Sequence, residues 1–291
     1  MKKLTFYIVD VFAEKKFAGN QLVVFRGGAQ LTTEQMQAIA CEMHFSETTF
    51  ILSEKKRESG YDVRIFTPAL EVQFAGHPTL GTAHILRTEI ATDQPQEILL
   101  NLRIGQIPVT FRKEVGWMKQ VQPQFGAALD PNAVAEILGL KQSDIDKRFP
   151  VEEVSTGLPH IIVPLKKITS LKKARVAVDK YYNFIKKTWA KPILVFCPQS
   201  HTGENDISVR MFAECYGISE DPATGSGNGC LAAYFIKNRY WGKNEINIRA
   251  EQGYEINRPS LLYLQAKEVN GGIEVFVGGK SITVAGGLMQ I

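Results

Sequence analysis

The chain repeats itself once, and that repeat limits its fold more than any other feature. Val63-Arg64-Ile65-Phe66-Thr67 returns as Val209-Arg210-Met211-Phe212-Ala213. Each copy leads, through a connector, into a (His/Asp)-Pro-x-x-Gly-(Thr/Ser) segment, starting at His77-Pro78 and at Asp221-Pro222. An apolar helical stretch follows each one, Ala83 to Leu86 and Cys230 to Ile236. A second pair recurs in the same order. Gly19-Asn20-Gln21-Leu22-Val23-Val24-Phe25 parallels Gly157-Leu158-Pro159-His160-Ile161-Ile162-Val163, a glycine turn and then a β-branched strand. Two matches in register point to a duplicated lobe, and self-similarity of this kind fixes the architecture before any local reading does.

Local patterns fill in the lobes. β-branched and aromatic content predicts strands at 4–11, 21–25, 49–52 and 63–66. Met36, Ile39, Ala40 and Met43 share one face of a predicted helix over 33–43, with Thr32 or Thr33 as its cap. A helix is expected to begin after Pro78, because proline costs little in a first turn. Pro222 is expected to open another, running to about Arg239. A helix over 131–138 ends at Gly139, and strands return at 245–250, 261–265, 273–277 and 281–284. Many strands with one apolar helix per half predict a sheet curled around a buried helix. The seam falls near 120–126, where Pro123 and Gly126 interrupt the pattern. The expected division is a first lobe of 1–122, completed by a C-terminal strand at 280–291, and a second lobe of 123–279.

The Pro-x-x-Gly segments are the first candidates for chemistry. Each places a polar side chain, His77 or Asp221, and unpaired backbone N–H groups at a helix start, where the partial positive charge suits a carboxylate or an enolate. The small residues Gly76, Gly81, Gly225 and Gly227 would let a ligand approach the backbone. Each segment alone also reads as a helix cap with glycine turns. Glu47 is the next candidate, in His44-Phe45-Ser46-Glu47-Thr48-Thr49-Phe50. Phe45 and Phe50 on either side would desolvate a carboxyl and bring it toward neutral pH, where acid/base work is efficient. On its own the same residue also reads as a surface glutamate in a turn.

Composition narrows the classes. The 291 residues carry a net charge of only +4, with 44% hydrophobic and 22% charged residues, as in a globular protein. The densest basic run, Lys166 to Arg175, fits a solvated face, and no nucleic-acid reader motif accompanies it, so nucleic acid is not an expected partner. Cys41, Cys197, Cys215 and Cys230 show no C-x-x-C or zinc spacing, which predicts reduced thiols, a cytoplasmic protein and no metal. The apolar run after Met1-Lys2-Lys3 is broken at Asp10, too soon for a secretory segment, and no stretch is long enough to span a bilayer. There is no H-E-x-x-H. Glu274 stands where the first glycine of a P-loop would precede Gly279-Lys280-Ser281, and Cys230 occupies the last glycine position of a dinucleotide fingerprint. No cofactor is expected.

Taken together, Asp10-Val-Phe, Phe17-x-Gly19-Asn20, Ser46-Glu47-Thr48, Arg64-x-Phe66-Thr67-Pro68, Gly76-His77-Pro78-Thr79 and the run from Glu220 to Gly229 resemble the phenazine-biosynthesis (PhzF-like) isomerase family. The pieces span both halves in the family's order. The resemblance implies an α+β, diaminopimelate epimerase-like fold: two pseudo-symmetric lobes, each a β-barrel-like sheet wrapped around a central α-helix, with the site in the cleft between them. It implies Glu47 as general acid/base, moving a proton between carbons of a small carboxylate-bearing substrate. His77 and Asp221 would orient the ligand or assist the proton, and Asn20, Ser46, Gly76, Gly225, Ser226 and Gly227 would bind it. Related racemases use one cysteine per lobe. Here the helix starts read Ala75-Gly76-His77 and Thr224-Gly225-Ser226, so a one-base isomerisation is expected in place of a two-thiol inversion. A homodimer is compatible with the chain. Two other readings stay open: a non-catalytic binding or accessory protein that keeps the cleft, and a Ser226–His77 hydrolase, which lacks the Gly-x-Ser-x-Gly elbow.

Overall fold

A computed structural model describes residues 3–291. The chain forms two compact units, Met1–Met118 with Gly278–Ile291, and Lys119–Val277. In the first, β1 (Lys3–Val11) pairs antiparallel with β2 (Asn20–Arg26), and α1 (Thr33–Met43) leads to β3 (Glu47–Ile51), parallel to β2. β4 (Tyr61–Phe66) runs antiparallel to β3, and the short β5 (Glu71–Val72) returns beside it. α2 (Gly76–Ile85) follows, then β6 (Glu97–Leu102), β7 (Gly105–Arg112) and β8 (Val115–Lys119).

The second unit repeats this order. β9 (Gln124–Leu129) and α3 (Pro131–Ile137) precede β10 (Val151–Ser155), which pairs with β11 (Pro159–Pro164). α4 (Ile168–Lys173) and α5 (Val178–Ile185) lead to β12 (Ile193–Cys197), parallel to β11. β13 (Ile207–Ala213) is antiparallel to β12, and the short β14 (Ile218–Asp221) returns beside it. α6 (Gly225–Lys237) precedes β15 (Glu245–Gln252), β16 (Ser260–Val269) and β17 (Gly272–Gln290).

Each unit wraps its sheet around one helix. Every residue of α2 from His77 to Ala83 is buried, and α6 is buried from Gly227 to Ile236, so both are enclosed on every face and mostly apolar, as core helices are. α2 lies on β1, β2, β3, β6 and β7, and α6 on β10, β11, β15 and β16. Close approach is what excludes a side chain at Gly81, where a Cβ would stand 2.6 Å from Leu22 and 2.7 Å from Val11. On the outer face of the first sheet, Phe25, Phe50 and Phe66 form a core with Met36, Ile39 and Ala40 of α1. Thr32 caps α1 in a capping box with Gln35.

The repeated Val-Arg-x-Phe motif does the same work in both units. Arg64 forks onto Glu71 at 2.7 and 2.8 Å and lies over Phe66, and Arg210 forks onto Glu220 at 2.7 and 2.9 Å and lies over Phe212. Each arginine thereby ties a long strand to the short strand before the central helix.

Several boundaries differ from expectation. α2 begins two residues before Pro78, and α6 begins three residues after Pro222, with Asp221 still paired to Met211 in β14. The two prolines are therefore not equivalent. Aligned on the helix starts, His77 corresponds to Ser226. Aligned on the strand ladder, Asp221 corresponds to Val72, since Met211 and Ile65 are matching residues. The strands expected at 273–277 and 281–284 are one strand, β17, which continues through Gly278 and Gly279 because Trp117 and Phe12 fill the space beside those glycines. No helix among the described residues is long and apolar enough to cross a membrane.

Candidate active site

Glu47 is the first residue of β3 and pairs in register with Leu22 of β2. Strand alternation puts Glu47, Thr49 and Ile51 on one face and Thr48 and Phe50 on the other. The Thr49 hydroxyl meets that of Thr82 at 2.8 Å, so the Glu47 face is the one that looks onto α2. Phe50, and with it Phe45, belongs to the opposite core against α1. The expectation that these phenylalanines desolvate Glu47 is therefore corrected: alternation carries Phe50 to the other side of the sheet, and Phe45, in the connection before β3, packs there with it. The start of α2 screens the carboxyl instead. His77 Nε2 lies 3.4 Å from Glu47 Oε2, with side-chain exposures of 7% and 18%.

Burial pushes the His77 imidazole down to about 3, offset only in part by a hydrogen bond to the Gln21 backbone. A bond that favours the protonated ring is an N–H donated to the Gln21 carbonyl. The ring is then a neutral tautomer with Nδ1–H fixed and its Nε2 lone pair turned to Glu47. Burial disfavours the charged imidazolium, so the contact is one between a carboxyl group and a neutral ring rather than a salt bridge.

The neighbouring candidates lie at the same end of this sheet. Asn20 opens β2, is buried, and has the parity of Leu22, which faces α2. Ser46 is half-buried and directly precedes β3. Gly76 is the first residue of α2, behind an extended Ala75 cap that makes no side-chain hydrogen bond. Thr79 donates to the Ala75 carbonyl from both its backbone (3.3 Å) and its hydroxyl (2.7 Å), which leaves the N–H groups of Gly76 and His77 outside the helix ladder.

In the second unit, Asp221 ends β14 and accepts a hydrogen bond from the Thr224 hydroxyl. Thr224 caps α6, so Gly225, Ser226 and Gly227 form its first turn, with Ser226 the half-buried member. Gly227 is also required by packing, because a Cβ there would stand 2.8 Å from Leu194 and 3.3 Å from His160. Cys230 lies fully buried in the second turn, its thiol pushed up to about 11 by burial, which makes it a core residue and no acid or base. Among the described residues no group of three or more His, Cys, Asp or Glu side chains is placed to hold a metal ion.

The duplicated ladders show where the units differ. Thr48 pairs with Phe66, and Ile193 pairs with Phe212, so Glu47 corresponds to Pro192. The β2–β3 and β11–β12 ladders give the same equivalence. The scaffold is duplicated and the carboxyl is not.

The family model described as phenazine biosynthesis-like protein matches residues 9–287. The chain belongs to that family. It is 32% identical over 290 residues to the trans-2,3-dihydro-3-hydroxyanthranilate isomerase of Pseudomonas aeruginosa, covering 95% of this chain and 98% of the relative. The crystal structure of the Bacillus anthracis phenazine biosynthesis protein of the PhzF family superposes with a TM-score of 0.91 at 25% identity, covering 100% of both chains. A probable proline racemase from Agrobacterium radiobacter shares the fold at 13% identity and a TM-score of 0.64, over 99% of this chain and 92% of its own. Family membership and these likenesses agree with the diaminopimelate epimerase-like, α+β architecture of the two wrapped helices.

Three residues near the candidates were assigned no role from the sequence: Thr224 and Asn228, which lie within the run from Glu220 to Gly229, and Gln252, joined by hydrogen bonds around Asp221. One signal was available. Ile246, Ile248 and Ala250 form the buried row of β15, and Gln252 places an amide at its end.

Proposed function

We propose that this isomerase of the phenazine biosynthesis-like family moves a proton between two carbons of a small carboxylate, with Glu47 as the single acid/base. The observation that supports it is the contact between Glu47 and a neutral His77, in a unit whose counterpart has proline in place of the carboxyl. His77 does not compete for positive charge. Its Nε2 lone pair faces the carboxyl group, so the ring can accept a hydrogen bond from Glu47 as the acid without taking its proton. Glu47 removes a proton from one carbon, leaving an enol or enolate, and delivers a proton to another carbon of the same ligand. General acid/base help of this kind is worth ~10²–10⁴-fold. The N–H groups of Gly76 and His77 are suited to the developing oxyanion, each such donor being worth roughly 3 kcal/mol.

Asn20, Ser46, Gly76, Gly225, Ser226 and Gly227 are proposed as ligand-binding residues, with His77 and Asp221 to orient the ligand. This chemistry needs no cofactor. The four free cysteines fit a reducing compartment such as the cytosol.

The substrate class follows from the relative named above: trans-2,3-dihydro-3-hydroxyanthranilate, a small ring carboxylate, is the first compound to offer. The experiment is incubation of the full chain with this compound, and with a panel of small unsaturated carboxylates, in D₂O. Conversion with deuterium on a ring or chain carbon is the expected result. Stable binding of any of them with neither conversion nor exchange would favour a binding protein and contradict the proposal.

A further inference from the structure

The second unit contains a buried polar network at a place where the first has apolar residues, and it closes on Asp221. Gln252 Nε2 donates to the Asp221 carbonyl at 2.9 Å and to the Thr224 hydroxyl at 3.0 Å. Gln252 Oε1 accepts from Asn228 Nδ2 at 2.8 Å and from the Thr224 N–H at 3.2 Å. All four hydrogen bonds the amide can readily make here are used, and only one orientation of the amide satisfies them, because the Asp221 carbonyl needs a donor and the Thr224 N–H needs an acceptor. The Thr224 hydroxyl passes the chain on by donating to the Asp221 carboxylate. Gln252, Asn228, Thr224 and Asp221 are 1%, 0%, 8% and 7% exposed.

Comparison of the two units shows that the scaffold does not require this network. Tyr61 pairs with Leu100 as Ile207 pairs with Ala250, so Gln252 corresponds to Leu102, and Asp221 corresponds to Val72. The first unit builds the same strand ladder and the same helix start with two apolar residues in these places. There, Thr79 bonds the cap carbonyl of Ala75 much as Asn228 bonds that of Thr224, and no amide is needed behind it. A fully satisfied buried amide network rigidifies the groups it joins, and the equivalent site, with leucine, does without that constraint. The polar pair appears together in one unit and is absent together from the other.

We infer that Gln252 is the positioning residue for Asp221: it holds the Asp221–Thr224 turn and the first turn of α6 in one arrangement and polarises the Thr224 hydroxyl toward the carboxylate. This rests on the proposed function only in taking Asp221 as a ligand-orienting group. Gly253, directly after it, is fixed for the same turn. At φ +79° a Cβ there would meet the Pro222 carbonyl oxygen at 2.6 Å.

The test uses the full chain with ¹³C-labelled aspartate, the Asp221 carboxyl resonance being assigned by its loss in Asp221→Asn. Gln252→Leu, which copies the residue of the first unit, removes the polarising donor. The Asp221 titration midpoint is expected to rise, and kcat for trans-2,3-dihydro-3-hydroxyanthranilate to fall roughly tenfold, about the effect of one net hydrogen bond, with KM little changed. Gln252→Glu is the second variant, in case the leucine form does not fold. It keeps the volume and the acceptor but turns the donor into an acceptor, and a larger rise is expected. An unmoved midpoint in either folded variant, or a moved midpoint with wild-type kcat, overturns the inference. The titration needs no turnover. If the wild type does not convert the probe, the proposed function is in question and the titration alone decides the role of Gln252.

Discussion

His77 is held neutral by burial, which outweighs the opposing effect of its bond to the Gln21 backbone, and this bears on what Glu47 can do. A charged imidazolium would pin the carboxyl as an ion pair, whereas a neutral ring lets a proton sit on Glu47 and leave it. Long-range ¹H–¹⁵N NMR of the histidines is expected to show His77 as the Nδ1–H tautomer from pH 8 down to pH 5, and a His77 titration near the ordinary histidine value of ~6.5 would contradict this. The sequence alone does not disclose the pair. Glu47 and His77 are thirty positions apart, and their contact exists only once β3 and α2 pack. Neighbouring phenylalanines suggested desolvation of Glu47, but Phe50 follows strand alternation to the far side of the sheet and Phe45 turns to the same core before β3 begins. The resemblance picked out Glu47 and His77. What the environment does to each is a property of the fold.

At the scale of elements, the two arginine forks fasten the strands before each central helix, and they are not equally replaceable. Arg210 is almost fully buried, holds Glu220 with two hydrogen bonds, and also donates to the carbonyls of Leu171 and Ala174 at 2.8 Å. Arg210→Met strands a buried carboxylate and two carbonyls, and is expected to destabilise the chain by ~3–5 kcal/mol. Arg64→Met should cost clearly less, because Arg64 is more exposed and Glu71 keeps Arg103 at 3.0 Å. Urea denaturation of the two variants checks the order; equal losses would mean that burial does not set the difference. This motif was visible in the sequence as a repeat, since Val-Arg-x-Phe recurs unchanged in type. The helix starts were less so. Pro78 and Pro222 look alike in the sequence, but one lies inside a helix turn and the other in the loop before one. Proline fixes its own φ and does not say on which side of it the helix begins.

For the chain as a whole, duplication supplies a scaffold and divergence supplies chemistry. Three histidines, His77, His84 and His160, are held neutral chiefly by burial, at about 3, 4 and 4. Each binds a proton more readily when unfolded. The stability this gives is complete above pH ~6.5 and is lost as pH falls toward 4. Urea midpoints are therefore expected to drop steadily between pH 7 and pH 4.5; a flat profile there would mean that these rings are charged in the folded chain. The architecture was legible because it is written twice. The placement of a carboxyl in one unit only was not, because Pro192 and Glu47 have no similarity that aligns them until both are seen at matching places in a ladder. The account depends on that one carboxyl. Its most direct test is the rate at which solvent deuterium enters the carbon skeleton of a bound substrate, compared between the wild type and Glu47→Gln at equal melting temperature. A loss of ~10²-fold or more with ligand binding retained is predicted, and exchange at the wild-type rate would contradict it.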